Sequence, residues 1–248
     1  MSKPASEYLQ IVSEKLRSLE GSFGQKPFTT AVNLIFESLK AGGVWNIFGA
    51  GHSTMAVQEA FHRAGGLIPI NPWLEEYMMP QSGPTRNGGF EKLTGVAEVI
   101  FDYYKPNPGE VLTIISNSGI NATSIEMAEI AKKRNVKTIG ITNLEHSKST
   151  PSRHSSGKKV FDVCDIILDT GGVKGDAAVT IPGVDVCVGP LSTVLNCFII
   201  NSLTLAICQK FVENSLKAPV YASANLPGGA ERNRDLERKY LGRIPRLR

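Results

Sequence analysis

The chain has 248 residues, 42% hydrophobic and 20% charged, with a formal net charge of +4 at pH 7. That balance excludes a disordered, collagenous or disulfide-framework protein, and it leaves enough apolar sequence for a core that needs no covalent staples. The length is long for one domain and short for two, a size at which parallel α/β folds are commonly single.

Residues 5–20 read as a helix with Tyr8, Leu9, Val12, Leu16 and Leu19 on one side, and residues 28–40 repeat the pattern through Phe28, Val32, Ile35, Phe36 and Leu39. Gly42-Gly43 stops the second helix. The period then changes. Val44–Phe48 is a short apolar run that ends in Gly49-Ala50-Gly51-His52-Ser53, and a helical pattern follows to about Ala64. Leu67–Ile70 reads as a strand, and residues 71–89, with their prolines and glycines, as a long loop. Val111–Ile115 is a strand, followed by Ser116-Asn117-Ser118-Gly119 and a helix over 122–134. Thr138–Thr142 and Cys164–Leu168 are further strands, separated by a polar loop over 143–160. Pro190-Leu191-Ser192-Thr193 opens a long helix to about Leu216. Strands alternating with helices predict an α/β fold, a doubly wound parallel sheet covered on both faces by right-handed crossovers.

The run Val194–Ile207 is interrupted by Asn196, Asn201, Ser202 and Thr204, so it reads as a core helix with no membrane partner. No signal-peptide pattern opens the chain. Cys164, Cys187, Cys197 and Cys208 form no C-x-x-C pair and no histidine stands at zinc spacing, so they read as buried free thiols in a reducing cytoplasm, with no metal site. The basic residues between Arg232 and Arg248 are interrupted by Glu231, Asp235 and Glu237, which fits a solvated tail or a subunit contact and not a nucleic-acid partner.

The strongest chemical signal is the junction from Ser116 to Thr123. A strand ends and a helix begins there, presenting free N–H groups and the positive end of a helix dipole to an anion. Small residues allow close approach, and Ser116, Ser118, Asn121 and Thr123 add donors around the backbone of Asn117 and Gly119. The loop Gly49–Thr54 lacks the third glycine of a dinucleotide fingerprint, has no acidic ribose ligand about 20 residues on, and is not followed by the G-K-[ST] of a P-loop. Two such loops at the switch point of one sheet point to a phosphorylated small molecule and against NAD or ATP, and no cofactor is expected.

At these loops the chain resembles the sugar isomerase (SIS) domain family, from about Phe28 to Leu216. The family's Ser-x-Ser-Gly loop corresponds to Ser116–Gly119, its first-strand turn to Gly49–Ser53, and its Ser-Thr helix start to Ser192-Thr193. Stretches such as His62–Gly66, Arg153-His154, Gly175–Ala177 and Ser223–Asn225 resemble a bacterial subgroup of sugar isomerase domain-containing proteins. The resemblance implies a five-stranded parallel sheet flanked by helices, an N-terminal helix over 1–24, the SIS domain over 25–216 and a C-terminal extension over 217–248. It also implies a phosphorylated sugar held by Gly51, Ser53, Ser116, Asn117, Ser118, Gly119, Asn121, Ser192 and Thr193, in a homodimer or homotetramer with shared sites.

Aldose–ketose isomerisation needs a base that moves a proton between C1 and C2, and a group that opens the ring. Glu59 is the leading carboxylate. Val57, Ala60, Phe61 and Ala64 form the core stripe of its helix, whereas Met55, Glu59 and His62 fall on the opposite face, where Glu59 could line a shared cleft or simply pair with Arg63. His52, inside the first loop, and His146, after the third strand of the pattern, are the other catalytic candidates; His154, Asp176 and the tail piece Asn225–Gly229 rank below them. An isomerase acting through an enediol is the leading reading. The alternatives are a non-catalytic sugar-phosphate sensor and an etherase or lyase on an N-acetylated sugar phosphate.

Overall fold

A computed structural model describes residues 3–247. Two helices open the chain, α1 (Lys3–Ser22) and α2 (Lys26–Lys40), and α2 buries the stripe Phe28, Val32, Ile35, Phe36 and Leu39. Five strands follow, β1 (Trp45–Gly49), β2 (Ile70–Trp73), β3 (Val111–Ile115), β4 (Lys137–Thr142) and β5 (Ile166–Asp169). They form one parallel sheet in the order β2-β1-β3-β4-β5. β1 and β3 are buried at every residue, as apolar runs must be in a sheet covered on both faces. Successive side chains serve opposite layers. Trp45, Ile47, Val111 and Ile115 join the core under α2 and the long helix α9 (Ser192–Glu213), whereas Phe48, Leu112 and Ile114 join the core under α5 (Val96–Tyr104) and α6 (Ala122–Lys133).

Several elements differ from expectation. The helix after the first loop is α3 (Thr54–Ala60), preceded by a 3₁₀ turn over Gly51–Ser53; it stops short of Ala64 because Phe61 is extended and His62 takes a φ of 49°. The second strand is Ile70–Trp73 and not Leu67–Ile70. Leu67 bridges Val220 of the C-terminal tail, and the ladder with β1 begins at Ile70. Pro72 fits because β2 is an edge strand, and polar Asn71 is buried because its amide donates to Asn46 Oδ1 at 2.9 Å. The expected loop over 71–89 also contains 3₁₀ turns at Glu76–Met78 and Pro80–Ser82 and the start of α4 (Pro84–Lys92). Likewise the polar segment 143–160 contains α7 (Leu144–Ser149), and a short α8 (Val160–Val163) precedes β5. A hairpin, β6 (Ala177–Val179) and β7 (Val188–Pro190), had no counterpart in the sequence reading. Cys187 on that hairpin is exposed and the other three thiols are half-buried, so full burial of the cysteines does not hold.

Among the described residues α9 is the one helix long and apolar enough to cross a membrane; its Leu195, Ile199, Leu203 and Ile207 lie in the core against α2 and α3. The tail folds back along the β2 edge. Ile68 N donates to Pro219 O and Tyr221 N to Gly66 O, and α10 (Gly229–Glu237) is pinned by two hydrogen bonds between the Asn233 side chain and the Ala222 backbone. Three of its basic residues help to hold it: Arg232 donates to Val220 O, Arg243 to Glu110, and Arg246 to Leu74 O.

Candidate functional site

The chain reverses its winding between β1 and β3, since β2 lies on one side of β1 and β3, β4 and β5 on the other. Ligands of open α/β sheets bind outside the carboxyl ends of the strands at such a switch point. Gly49 pairs with Ile115, so the turns Gly51–Ser53 and Ser116–Gly119 leave adjacent strands at the same level.

The second turn is held from behind. Ser116 Oγ accepts from Gly119 N at 3.1 Å, and Asn117 O accepts from Asn143 N at 3.1 Å and from Thr142 Oγ1 at 3.2 Å. Gly119 has a φ of +63°, and a Cβ there would lie 3.0 Å from Thr142 Oγ1 and 3.2 Å from Ser147 Oγ, so both conformation and space require glycine. Asn121 is the N-cap of α6 but makes no capping bond. Its amide Nδ2 donates to Glu91 Oε2 at 2.6 Å, and its Oδ1 accepts from Arg153 Nη1 at 3.1 Å. The first N–H groups of a helix have no intrahelical partners, and here the Asn121 side chain does not cap them.

Glu91 is the residue that the sequence reading missed. It stands near the end of α4, whose place is set by a hydrogen bond from Thr123 Oγ1 to Phe90 O at 3.0 Å and by the packing of Tyr77 on Phe90. Its Oε1 lies 2.9 Å from where a Cβ of Gly51 would be, and Gly51 has a φ of +57°, so only glycine lets the carboxylate close on the first turn. Glu91 therefore stands between Gly51 of the first turn and Asn121 at the start of α6. Burial raises its pKa above the usual carboxylate range; hydrogen bonds from Asn121 and Asn87 and the charges of Lys92 and Arg153 oppose this without cancelling it. Pro84 at the first turn of α4 and a carboxylate just past Gly88-Gly89 were the signals available in the sequence.

The expected site residues divide. Gly51, His52, Ser53, Ser116, Asn117, Ser118 and Gly119 lie on the two turns, with His52 exposed, and Asn121 follows as the N-cap of α6. Ser192 and Thr193 start α9, which packs against the Gly51–Ser53 turn, but Asp176 already takes the Ser192 backbone N–H at 2.8 Å and its hydroxyl at 2.7 Å. His146 sits on α7 beyond β4, where its Nδ1 accepts from Gly175 N at 3.4 Å. Glu59 faces the middle of α9, accepting from Asn201 Nδ2 at 2.9 Å and pairing with Arg63. The carboxylate between the first turn and the start of α6 is Glu91.

A parallel sheet in this order, with serine- and glycine-rich turns at its switch point, defines the class, and the SIS domain family profile matches residues 7–143. The chain belongs to the SIS domain family. It is 36% identical over 242 residues to a UPF0309 protein of Geobacillus kaustophilus, covering 98% of this chain and 96% of that one. It is 37% identical over 243 residues to a UPF0309 protein of Caldanaerobacter subterraneus, covering 97% and 98%. Among solved structures, a phosphoheptose isomerase from Francisella tularensis superposes with a TM-score of 0.53 at 16% identity, over 84% of this chain and 100% of that one. One from Neisseria gonorrhoeae gives 0.50 at 16% identity, over 83% and 97%. At such identities the likeness to both is one of fold.

Proposed function

We propose that this protein binds a phosphorylated sugar at the switch-point crevice and isomerises it between aldose and ketose through an enediol, with Glu91 as the base. The observation that carries the reading is a carboxylate of raised pKa held between Gly51 of the first turn and Asn121 at the start of α6. A base poised nearer neutrality transfers protons more effectively at working pH. A sensor has no use for such a group, which favours isomerisation over the non-catalytic reading. An etherase or lyase would use the same carboxylate, so product analysis separates those two. The solved isomerases of the same fold support a phosphosugar ligand. His52, next to Gly51 on the first turn, is the candidate for ring opening.

The phosphate sits at the start of α6, held by backbone N–H groups and the Ser118 hydroxyl. Ser118→Ala should weaken phosphosugar binding by about ten- to hundredfold, the effect of losing a hydrogen bond to a charged group worth ~1.5–3 kcal/mol. Calorimetric titration of the folded variant checks this, and unchanged affinity would remove the phosphate from this turn.

The functional unit we propose is a homodimer or larger. Val194, Leu205 and Val212 of α9 are exposed, and Phe198, Asn201 and Cys208 are half-buried between them. The spacing of four and three residues is that of a helix-pairing seam, with one polar residue in its middle that can set register. Asn201 joins this seam to Glu59 on α3, so the face expected from Met55, Glu59 and His62 continues into it. Leu205→Arg should shift the protein to monomer in sedimentation velocity at micromolar concentration. An unchanged sedimentation coefficient would place the contact elsewhere.

A further inference from the structure

The segment between α7 and α8 has no regular structure over residues 150–159, yet it is closely braced. Arg153 N donates to Ile120 O at 2.9 Å, and beyond the segment Val160 N donates to Gly119 O at 2.9 Å, so this stretch is stitched to the anion turn. Ser152 Oγ donates to Lys158 O at 2.6 Å and accepts from His154 N at 3.1 Å. The His154 side chain, 10% exposed, sits with Nε2 3.7 Å from Glu126 Oε1 and Nδ1 2.7 Å from Ser156 Oγ.

This bracing fixes the guanidinium of Arg153. Its Nη1 donates to Asn121 Oδ1 at 3.1 Å, which puts a cation at the N-cap of α6, where the first-turn N–H groups are uncapped. Asn121 takes one N–H of a group that carries five, and the residue is exposed. Hydroxyls and backbone N–H groups donate to neutral sugar oxygens as well as to phosphate. A guanidinium fork prefers the dianion, because paired charge-assisted bonds match its oxygens. A cation is also needed there, since the Glu91 carboxylate lies on the other side of Asn121 and repels an incoming phosphate.

We propose that Arg153 is a specificity-determining residue of the anion site: its guanidinium pairs with the phosphate held at the start of α6 and selects phosphomonoesters over unphosphorylated sugars. The inference rests on the phosphosugar reading above. The competing role is a brace that only orients Asn121.

The test uses the full chain with inorganic phosphate as probe, binding being followed by ³¹P NMR or calorimetry. Arg153→Gln should weaken phosphate binding by about ten- to hundredfold, and Arg153→Lys by less, since lysine keeps the charge and loses the fork. In an Asn121→Ala background, Arg153→Gln should still weaken binding, an effect that a brace acting through Asn121 would not produce. If Arg153→Gln binds like wild type while Ser118→Ala is weakened, the proposal fails and the anion turn stands. If additivity is lost completely in the Asn121→Ala background, Arg153 is a brace and the proposal fails. If neither Ser118→Ala nor Arg153→Gln affects binding, or wild type binds no phosphate, the α6 site itself fails and takes the proposal with it.

Discussion

Glu91→Gln should lower aldose–ketose turnover by ~10²–10⁴, the usual contribution of a positioned base, while phosphate affinity stays near that of wild type. The substitution keeps the size of the side chain and an oxygen to accept from Asn121, but it cannot take a proton. Isomerisation removes the proton at C2 of the open-chain aldose and delivers one to C1, so on the proposed mechanism the wild-type protein in heavy water should place deuterium at those carbons, and the variant should not. Interconversion followed by NMR covers a transfer shielded from solvent. If Glu91→Gln keeps full turnover, the base lies elsewhere, and Glu59 and His52 are next in order.

The raised pKa of Glu91 adds two pH signatures. The base must be ionised, so the acid limb of kcat/KM should lie above the ordinary carboxylate range. For stability the sign follows from proton binding. The folded chain holds this proton more tightly than the unfolded chain does. The resulting stabilisation is complete below the unfolded carboxylate value, ~4.3, and is lost as pH rises through the higher folded value. Glu91→Gln has no such dependence, so its Tm relative to wild type should rise with pH across that window. A difference independent of pH would mean that the carboxylate is not perturbed.

The strands and the polar turns that follow them were legible because their physics is local. Val111–Ile115 is a run of five buried residues, and the small polar residues after it mark a turn whatever packs around it. Glu91 was not legible because α4 has almost no local signature. Pro-Thr-Arg-Asn-Gly-Gly-Phe-Glu-Lys carries two adjacent glycines and a single large apolar residue, so no apolar period announces a helix. Tertiary contacts hold it there, the Phe90 carbonyl to Thr123 and the Glu91 carboxylate to Asn121, 30 residues on. Glu59 shows the converse limit. Its helix face was read as lying opposite the core stripe, but its partner Asn201 is 142 residues away, a separation that periodicity does not reach. In the same way the Ser192 hydroxyl was expected to face substrate because nothing in its own turn revealed Asp176. In β2, Asn71 and Pro72 interrupt the apolar pattern, and the Asn46 side chain and an edge position make them acceptable.

Glu110→Ala should destabilise the fold by ~3–5 kcal/mol, because it breaks a buried charged network and leaves its donors without an acceptor. Glu110 is 3% exposed and sits just before β3, at the end of the sheet opposite the site. Oε1 accepts from Val44 N at 3.2 Å and from Arg243 Nη2 at 2.7 Å; Oε2 accepts from Asn46 Nδ2 at 3.2 Å and from Asn107 N at 3.0 Å. Asn46 in turn accepts from Asn71 and Trp73, so one carboxylate joins the starts of β1 and β3, the edge strand β2 and the C-terminal tail. Glu110→Gln keeps acceptor geometry at one oxygen and should cost less. Arg243→Ala removes the tail's share and leaves three donors in place, so its cost should be smaller than that of Glu110→Ala and its effect more local. Urea unfolding gives the order of the three variants, and hydrogen exchange in Arg243→Ala should show faster opening of the tail and of β2 than of β3 and β4. Since the network lies at the far end of the sheet, phosphate binding at the Ser116–Gly119 turn should persist in whatever fraction of each variant remains folded. A loss below ~1 kcal/mol for Glu110→Ala would show that water replaces the carboxylate easily, and that the tail is held instead by buried Ile244 and the backbone bridge of Leu67 with Val220.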